Sequence, residues 1–292
     1  MKLHPIPTFV YALWCVLLLS SCAEKTPDAP VMPATEDTTS ISGGQFQNQL
    51  FSLPSPVHTA MLMEKAKVEF NETLLNPLDR VNSYVSETDR ALNMGIYGAD
   101  MAYISNYDRP QLSQQYFTVV GNLANQLDIL QNIDQSLLRR FNDNAGTRDS
   151  LLSLTAEFYT EGDRYLRTSE RQQLATLIVL GGWIEALYIA CHSADKNHEV
   201  ISRIGEQHPS VKNMAAIMGA FEDPACKELA AQLNELSQAY AGIESLYKYD
   251  QTITDQAVKT TYLRGRTITN VSDVQLKTIT AKVDEIRNAI TQ

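Results

Sequence analysis

From residue 58 onward, apolar side chains recur every three or four positions, the period of helices that turn one face to a core. The pattern predicts a first helix over residues 58–75, stopped by Asn76-Pro77. A second region runs to about Asp108, with Ser86 and Asp89 spaced as a capping pair and Leu92, Ile96, Ala99 and Tyr103 in one stripe. Pro110 opens a helix carrying Leu112, Tyr116, Val119, Leu123 and Leu127. A short segment at about 134–143 ends where Asn142, Asn144 and Gly146 break the chain. A helix from Thr147 to about Arg167 then shows Leu151, Thr155, Phe158, Gly162 and Tyr165 on one face. Leu174 to Cys191 is apolar on every side, with Glu185 its only charge, which marks a buried helix or a membrane span. Amphipathic neighbours and Gly181-Gly182 favour the middle of a bundle.

Shorter helices fit residues 198–206 and 210–220, and a long one runs from Asp223-Pro224 to about Tyr249. Residues 251–271 are Thr-rich and predict an irregular loop or a small hairpin, with Arg264-Gly265-Arg266 at its turn. The last helix, 273–291, carries a seam of Leu276, Ile279, Val283, Ile286 and Ile290. No repeat of 30–45 residues is visible, which disfavours a helical solenoid. The expected fold is therefore all-α, a single multi-helix bundle over residues 58–292 around a central buried helix.

Before residue 58 the pattern changes. Lys2 precedes an apolar run, Phe9 to Leu19, of eleven residues. A membrane span needs about 20, whereas this length suits a signal-peptide core. The run ends in Leu19-Ser20-Ser21-Cys22, an aliphatic residue, two small ones and a cysteine, like the bacterial lipobox. Residues 1–21 are expected to be a lipoprotein signal peptide and Cys22 the acylated residue, so that lipid chains anchor the protein. Residues 22–57, with Pro27, Pro30, Pro33, Pro54, Pro56 and Gly43-Gly44, have the composition of a flexible tether.

Net charge sharpens this picture. The formal charge of −10 becomes −11 without Lys2, which argues against nucleic acid and against electrostatic attraction to anionic headgroups. A chain that is 44% hydrophobic and 20% charged can bury a full core. Of the four cysteines, Cys191 and Cys226 remain after Cys15 and Cys22 are accounted for. They are expected as free thiols, although an oxidising envelope would permit a disulfide.

Candidate chemistry is sparse. Glu185 and His192 are seven residues apart and share a helix face with Gly181 and Tyr188. One reading makes that face the wall of a ligand cavity, with Glu185, Asp100, His192 and Tyr188 as binding residues. The other makes Glu185 a structural ion-pair partner of an arginine such as Arg90 or Arg164, because an unpaired buried charge is costly. Asp89, Asn93, Asp100 and Tyr107 form a polar seam suited to interhelical hydrogen bonds. Many of the thirteen tyrosines, such as Tyr103, Tyr116, Tyr165 and Tyr240, fall at core-facing positions. No nucleophile elbow, zinc motif, phosphate loop or dinucleotide fingerprint occurs, so no catalytic residue, metal or cofactor is expected. The spacing of Gly95 and Gly98 is too common a pattern to assign a role.

Three stretches, Leu92-Asn93-Met94-Gly95-Ile96-Tyr97-Gly98-Ala99-Asp100-Met101-Ala102-Tyr103, Gly181-Gly182-Trp183-Ile184-Glu185-Ala186-Leu187-Tyr188 and the C-terminal helix with Ile286-Arg287, occur in this order. Together they resemble a family of uncharacterised helical envelope lipoproteins of Bacteroidota-type Gram-negative bacteria. The likeness covers most of residues 60–292. It implies a helical envelope lipoprotein with no established activity, and it transfers no catalytic residue. In such bacteria, Asp37-Thr38-Thr39 and Asp149-Ser150-Leu151 resemble O-glycosylation sites, the second also reading as a helix cap. Ala23 after Cys22, rather than aspartate, implies the outer membrane. Ala23-Glu24-Lys25-Thr26 lacks the acidic cluster that favours surface export, so a periplasm-facing domain is expected. The functional expectation is a non-catalytic interaction or scaffold module with an envelope protein partner. The alternative is a small-ligand binder built around Glu185, Asp100 and His192.

Overall fold

The apolar stretch over residues 174–191 forms the middle of α6 (Gln172–Ser193), and in a computed structural model of the protein several other helices pack around it. The structure describes residues 41–46, 49–143, 148–255 and 259–292. Around α6 pack α1 (Pro56–Lys65), α2 (Glu87–Asn106), α5 (Arg148–Thr168), α7 (His198–Gly205) and α10 (Asp273–Thr291). Outside these, α3 (Pro110–Gln126) lies on α2, α4 (Gln135–Asp143) on α5, and α8 (His208–Ala220) pairs with α9 (Pro224–Ala239). The all-α expectation holds, since helices make up most of the described chain. By length and composition α6 could cross a membrane, yet 89% of its apolar window is buried inside the domain.

The α2–α6 crossing is the centre of the molecule, and glycine makes it possible. A Cβ on Gly95 would run into the Ile178 carbonyl and the Gly182 nitrogen, and one on Gly181 into the Leu92 carbonyl. The two backbones therefore touch. One turn on, Gly98 leaves room for the Tyr159 ring of α5, whose hydroxyl donates to the Met94 carbonyl at 2.7 Å. The glycine pair that carried no assignable role in the sequence is thus a packing device for two different helices.

Helix α2 begins with the expected capping box, Ser86 and Asp89 exchanging bonds with each other's backbone. It is buried on all sides from Ala91 to Asn106 rather than along one stripe. The C-terminal helix buries Ile279, Val283, Ile286 and Ile290, each side chain contributing about 1.5–3 kcal/mol relative to exposure. Its last carbonyls are satisfied from outside, Asn93 Nδ2 donating to Ile290 O at 2.8 Å and Arg80 Nη1 to Thr291 O at 2.8 Å.

Four expectations change. The first helix stops at Lys65, ten residues early, because Lys67 turns left-handed (φ 57°) and its N–H and that of Val68 bond back to Glu64 and Met63. Helix α9 ends at Ala239 instead of 249, with Gly242 at φ 76° leading into a strand. The Thr-rich region forms a longer ribbon than expected, β3 (Ser245–Asp255) antiparallel to β4 (Thr260–Thr269). Arg264-Gly265-Arg266 lie within β4 and not at the turn, Gly265 opposite Tyr249. The Tyr247 ring sits where a side chain on Gly265 would be. The foot of the ribbon rests on α7, where Thr269 N donates to Ser202 Oγ at 3.2 Å and Gly205 lies against Thr269 and Val271. A second ribbon, Ile41–Phe46 with Gln49–Pro54, occurs inside the stretch whose composition predicted a tether.

Candidate functional site

Glu185 lies on α6 within the all-round apolar stretch, so its carboxylate must find a partner inside the domain. The partner is Arg287 of α10, not Arg90 or Arg164. Its Nε donates to Glu185 Oε2 at 2.9 Å and its Nη2 to Oε1 at 3.0 Å, a two-pronged pair with Glu185 fully buried and Arg287 nearly so. Arg90 instead donates to the Tyr84 carbonyl, and Arg164 lies on the surface beside Glu161. The Tyr188 ring covers the guanidinium at 4.4 Å, closing it off from solvent.

A second acid adjoins the pair. Asp100 of α2 is fully buried and accepts from the Asn76 backbone N–H through Oδ2 at 3.0 Å, while Oδ1 receives no hydrogen from any donor. The Asp100 and Glu185 carboxyls are near enough for each to act on the other's ionisation. Burial, then the neighbouring Glu185 charge, pushes Asp100 well above the usual carboxylate range. Glu185 is also raised by burial, with Arg287 pulling the other way. Asn76, read from sequence only as a helix stop, organises the far side. Its carbonyl accepts from Tyr116 at 2.9 Å and its amide donates to Tyr84 at 3.0 Å.

The structure brings together Glu185, Asp100 and Tyr188 of the expected cluster. It leaves His192 out. That ring bonds Asp284 at 2.7 Å, both side chains about one-third exposed, and meets the cluster through a tilted contact with the Tyr188 ring. The polar seam of α2 separates into distinct tasks. Asp89 caps its helix, Asn93 caps α10, Asp100 joins Glu185, and Tyr107 donates to Val68 O at 2.8 Å. Sequence reasoning missed Arg287 as the partner, although a signal existed. It follows Val283 by four residues and so falls on the apolar seam.

Of the cavities among the described residues, one beside Trp183, Ala186 and Arg203 has about 10 Å³, room for about one water. An open depression of about 430 Å³ lies at Glu87, Arg171 and Asp223. Neither is lined by Glu185, Asp100, Tyr188 or His192. Cys191 and Cys226 are buried free thiols, raised by burial to about 12 and about 11, and so are neutral near pH 7. Cys22 and Thr38 lie outside the described residues. Ser150 falls in the first turn of α5.

No family profile matches the chain, and neither a curated protein nor a solved structure is significantly similar to it.

Proposed function

We propose that the protein is a membrane-anchored envelope lipoprotein whose helical domain is a non-catalytic interaction module, and that the β3–β4 ribbon is the part that meets a partner protein. The observation that carries this reading is the ribbon's surface. Leu246, Tyr247, Tyr249 and Ile253 are 61%, 65%, 53% and 39% exposed, on a sheet of only two strands. A two-stranded ribbon is marginal alone in water, and apolar side chains grouped on one element are a common mark of an interaction surface. Arg287 fills the space beside Glu185, which weighs against the ligand-cavity alternative. The lipobox-like Leu19-Ser20-Ser21-Cys22, the run before it and the resemblance to helical envelope lipoproteins support the anchor, the outer membrane and a periplasm-facing domain.

The ribbon is tested by cross-linking in cells followed by affinity purification. We compare wild type with a Leu246→Ser, Tyr247→Ser, Tyr249→Ser variant at matched membrane levels. The variant is expected to lose a protein that the wild type captures. Identical captured proteins for both would remove the ribbon from the proposal.

A further inference from the structure

We infer that the core holds a single bound proton between the carboxyls of Asp100 and Glu185, taken up on folding and coupling the stability of the α2–α6 crossing to pH. Counting charge carries the argument. Two carboxyls and one guanidinium meet where Asp100 and Glu185 are wholly inaccessible and Arg287 almost so. Were both acids ionised, an uncompensated negative charge would sit in an apolar core, which proteins avoid by protonation. The bonding pattern leaves one place for the hydrogen. Arg287 occupies both Glu185 oxygens, Asn76 N–H occupies Asp100 Oδ2, and Asp100 Oδ1 alone has no donor. A hydrogen on Oδ1 turns that orphan acceptor into a donor to Glu185. The shared proton belongs to the pair.

Among the described residues, no other group nearby neutralises the second acid. Around the cluster stand Tyr97 of α2, Tyr116 of α3, Tyr159 of α5 and Tyr188 of α6, whose phenols burial raises, so they stay neutral. Glu72 and Asp284 add only negative potential. Among the described residues, the cation acting on the two acids is Arg287, and it is already spent on Glu185.

The sign follows from linkage. The folded pair holds its proton to higher pH than the unfolded carboxyl does, near 3.8. This contribution is therefore fully present below that value. It declines as pH rises through the window up to the pair's raised value, by as much as tenfold in the folding equilibrium constant per pH unit. Ionised Asp100 repels Glu185 across the crossing where the backbones touch.

The test is urea unfolding of the full-length protein between about pH 5 and about pH 9, for wild type and Asp100→Asn. The asparagine keeps the shape and a donor for Glu185 but has no proton to lose. Asp100→Asn is expected to flatten the pH slope and to be the more stable protein at the alkaline end. Parallel slopes for the two proteins would overturn the inference. Infrared spectroscopy provides a readout independent of the variant's folding. Wild type at neutral pH should show a protonated-carboxyl band that shifts in heavy water, and its absence would overturn the inference even if Asp100→Asn failed to fold.

Discussion

Arg287 and Glu185 lie 102 residues apart in sequence, and each is tolerable in the core only because of the other. Removing one partner of such a pair strands a buried charge. Glu185→Ala should therefore cost about 3–5 kcal/mol, lowering the melting temperature by roughly 10 °C. The pair as a whole is a different matter, since apolar residues of similar volume often replace buried ion pairs without loss. Glu185→Met with Arg287→Met should then recover most of what Glu185→Met alone loses, read as a coupling in a thermal-melt cycle. Additive losses would mean that Arg287 is held by other contacts, such as its bond to Leu74 O. At this scale the sequence was half legible. An acid inside an all-apolar helix demanded a partner, but its identity depends on which helix docks there. Asn76 was illegible for a related reason, because two of its three contacts here run through backbone atoms that any residue possesses.

Helices were legible wherever apolar period and punctuation agreed, as at Ser86 with Asp89 and at Pro110 and Pro224. The first helix was misjudged because the chain turns without glycine at Lys67, whereas the ends of α3 and α5 were read to within a residue or so despite the same kind of turn. Lys67, Asp128 and Glu170 all take the left-handed conformation just after a helix, with the following N–H reaching back to close the last turn. Lysine and glutamate carry no such signal in sequence. Most of the described glycines lie instead inside helices, where the effect of substitution depends on the space beside each. Gly121 on α3 has nothing within 4 Å of an added Cβ, so Gly121→Ala should stabilise by about 1 kcal/mol through helix propensity. Gly181→Ala gains the same propensity yet drives a methyl into the Leu92 carbonyl, and should lose about 3 kcal/mol or more. Denaturant melts of the two variants should move in opposite directions. A stable Gly181→Ala protein would show that α2 and α6 do not touch as described. Strand β3 was hidden by its neighbour, because Leu246 and Tyr249 also fit the helical spacing of α9. Only Gly242, and the alternation that begins beyond it, betrays the change.

For the whole molecule, the proposed lipid anchor and the domain make separable demands. Cys22→Ala is expected to abolish incorporation of a tagged fatty acid and to leave the precursor uncleaved, while the domain still melts cooperatively at the wild-type temperature. Continued labelling would refute the lipid anchor, and a shifted melt would tie the N-terminus to the fold. The order of the chain also bears on when the domain can form. The acids at 100 and 185 emerge from the ribosome before Arg287 does, so an incomplete chain has two carboxyls to bury and no guanidinium to meet them. Non-local contacts of this kind slow folding in any protein. Here they also make early collapse electrically unfavourable until the final helix is synthesised. A nascent chain kept open in this way remains threadable, which would suit the export to the envelope that we propose for it.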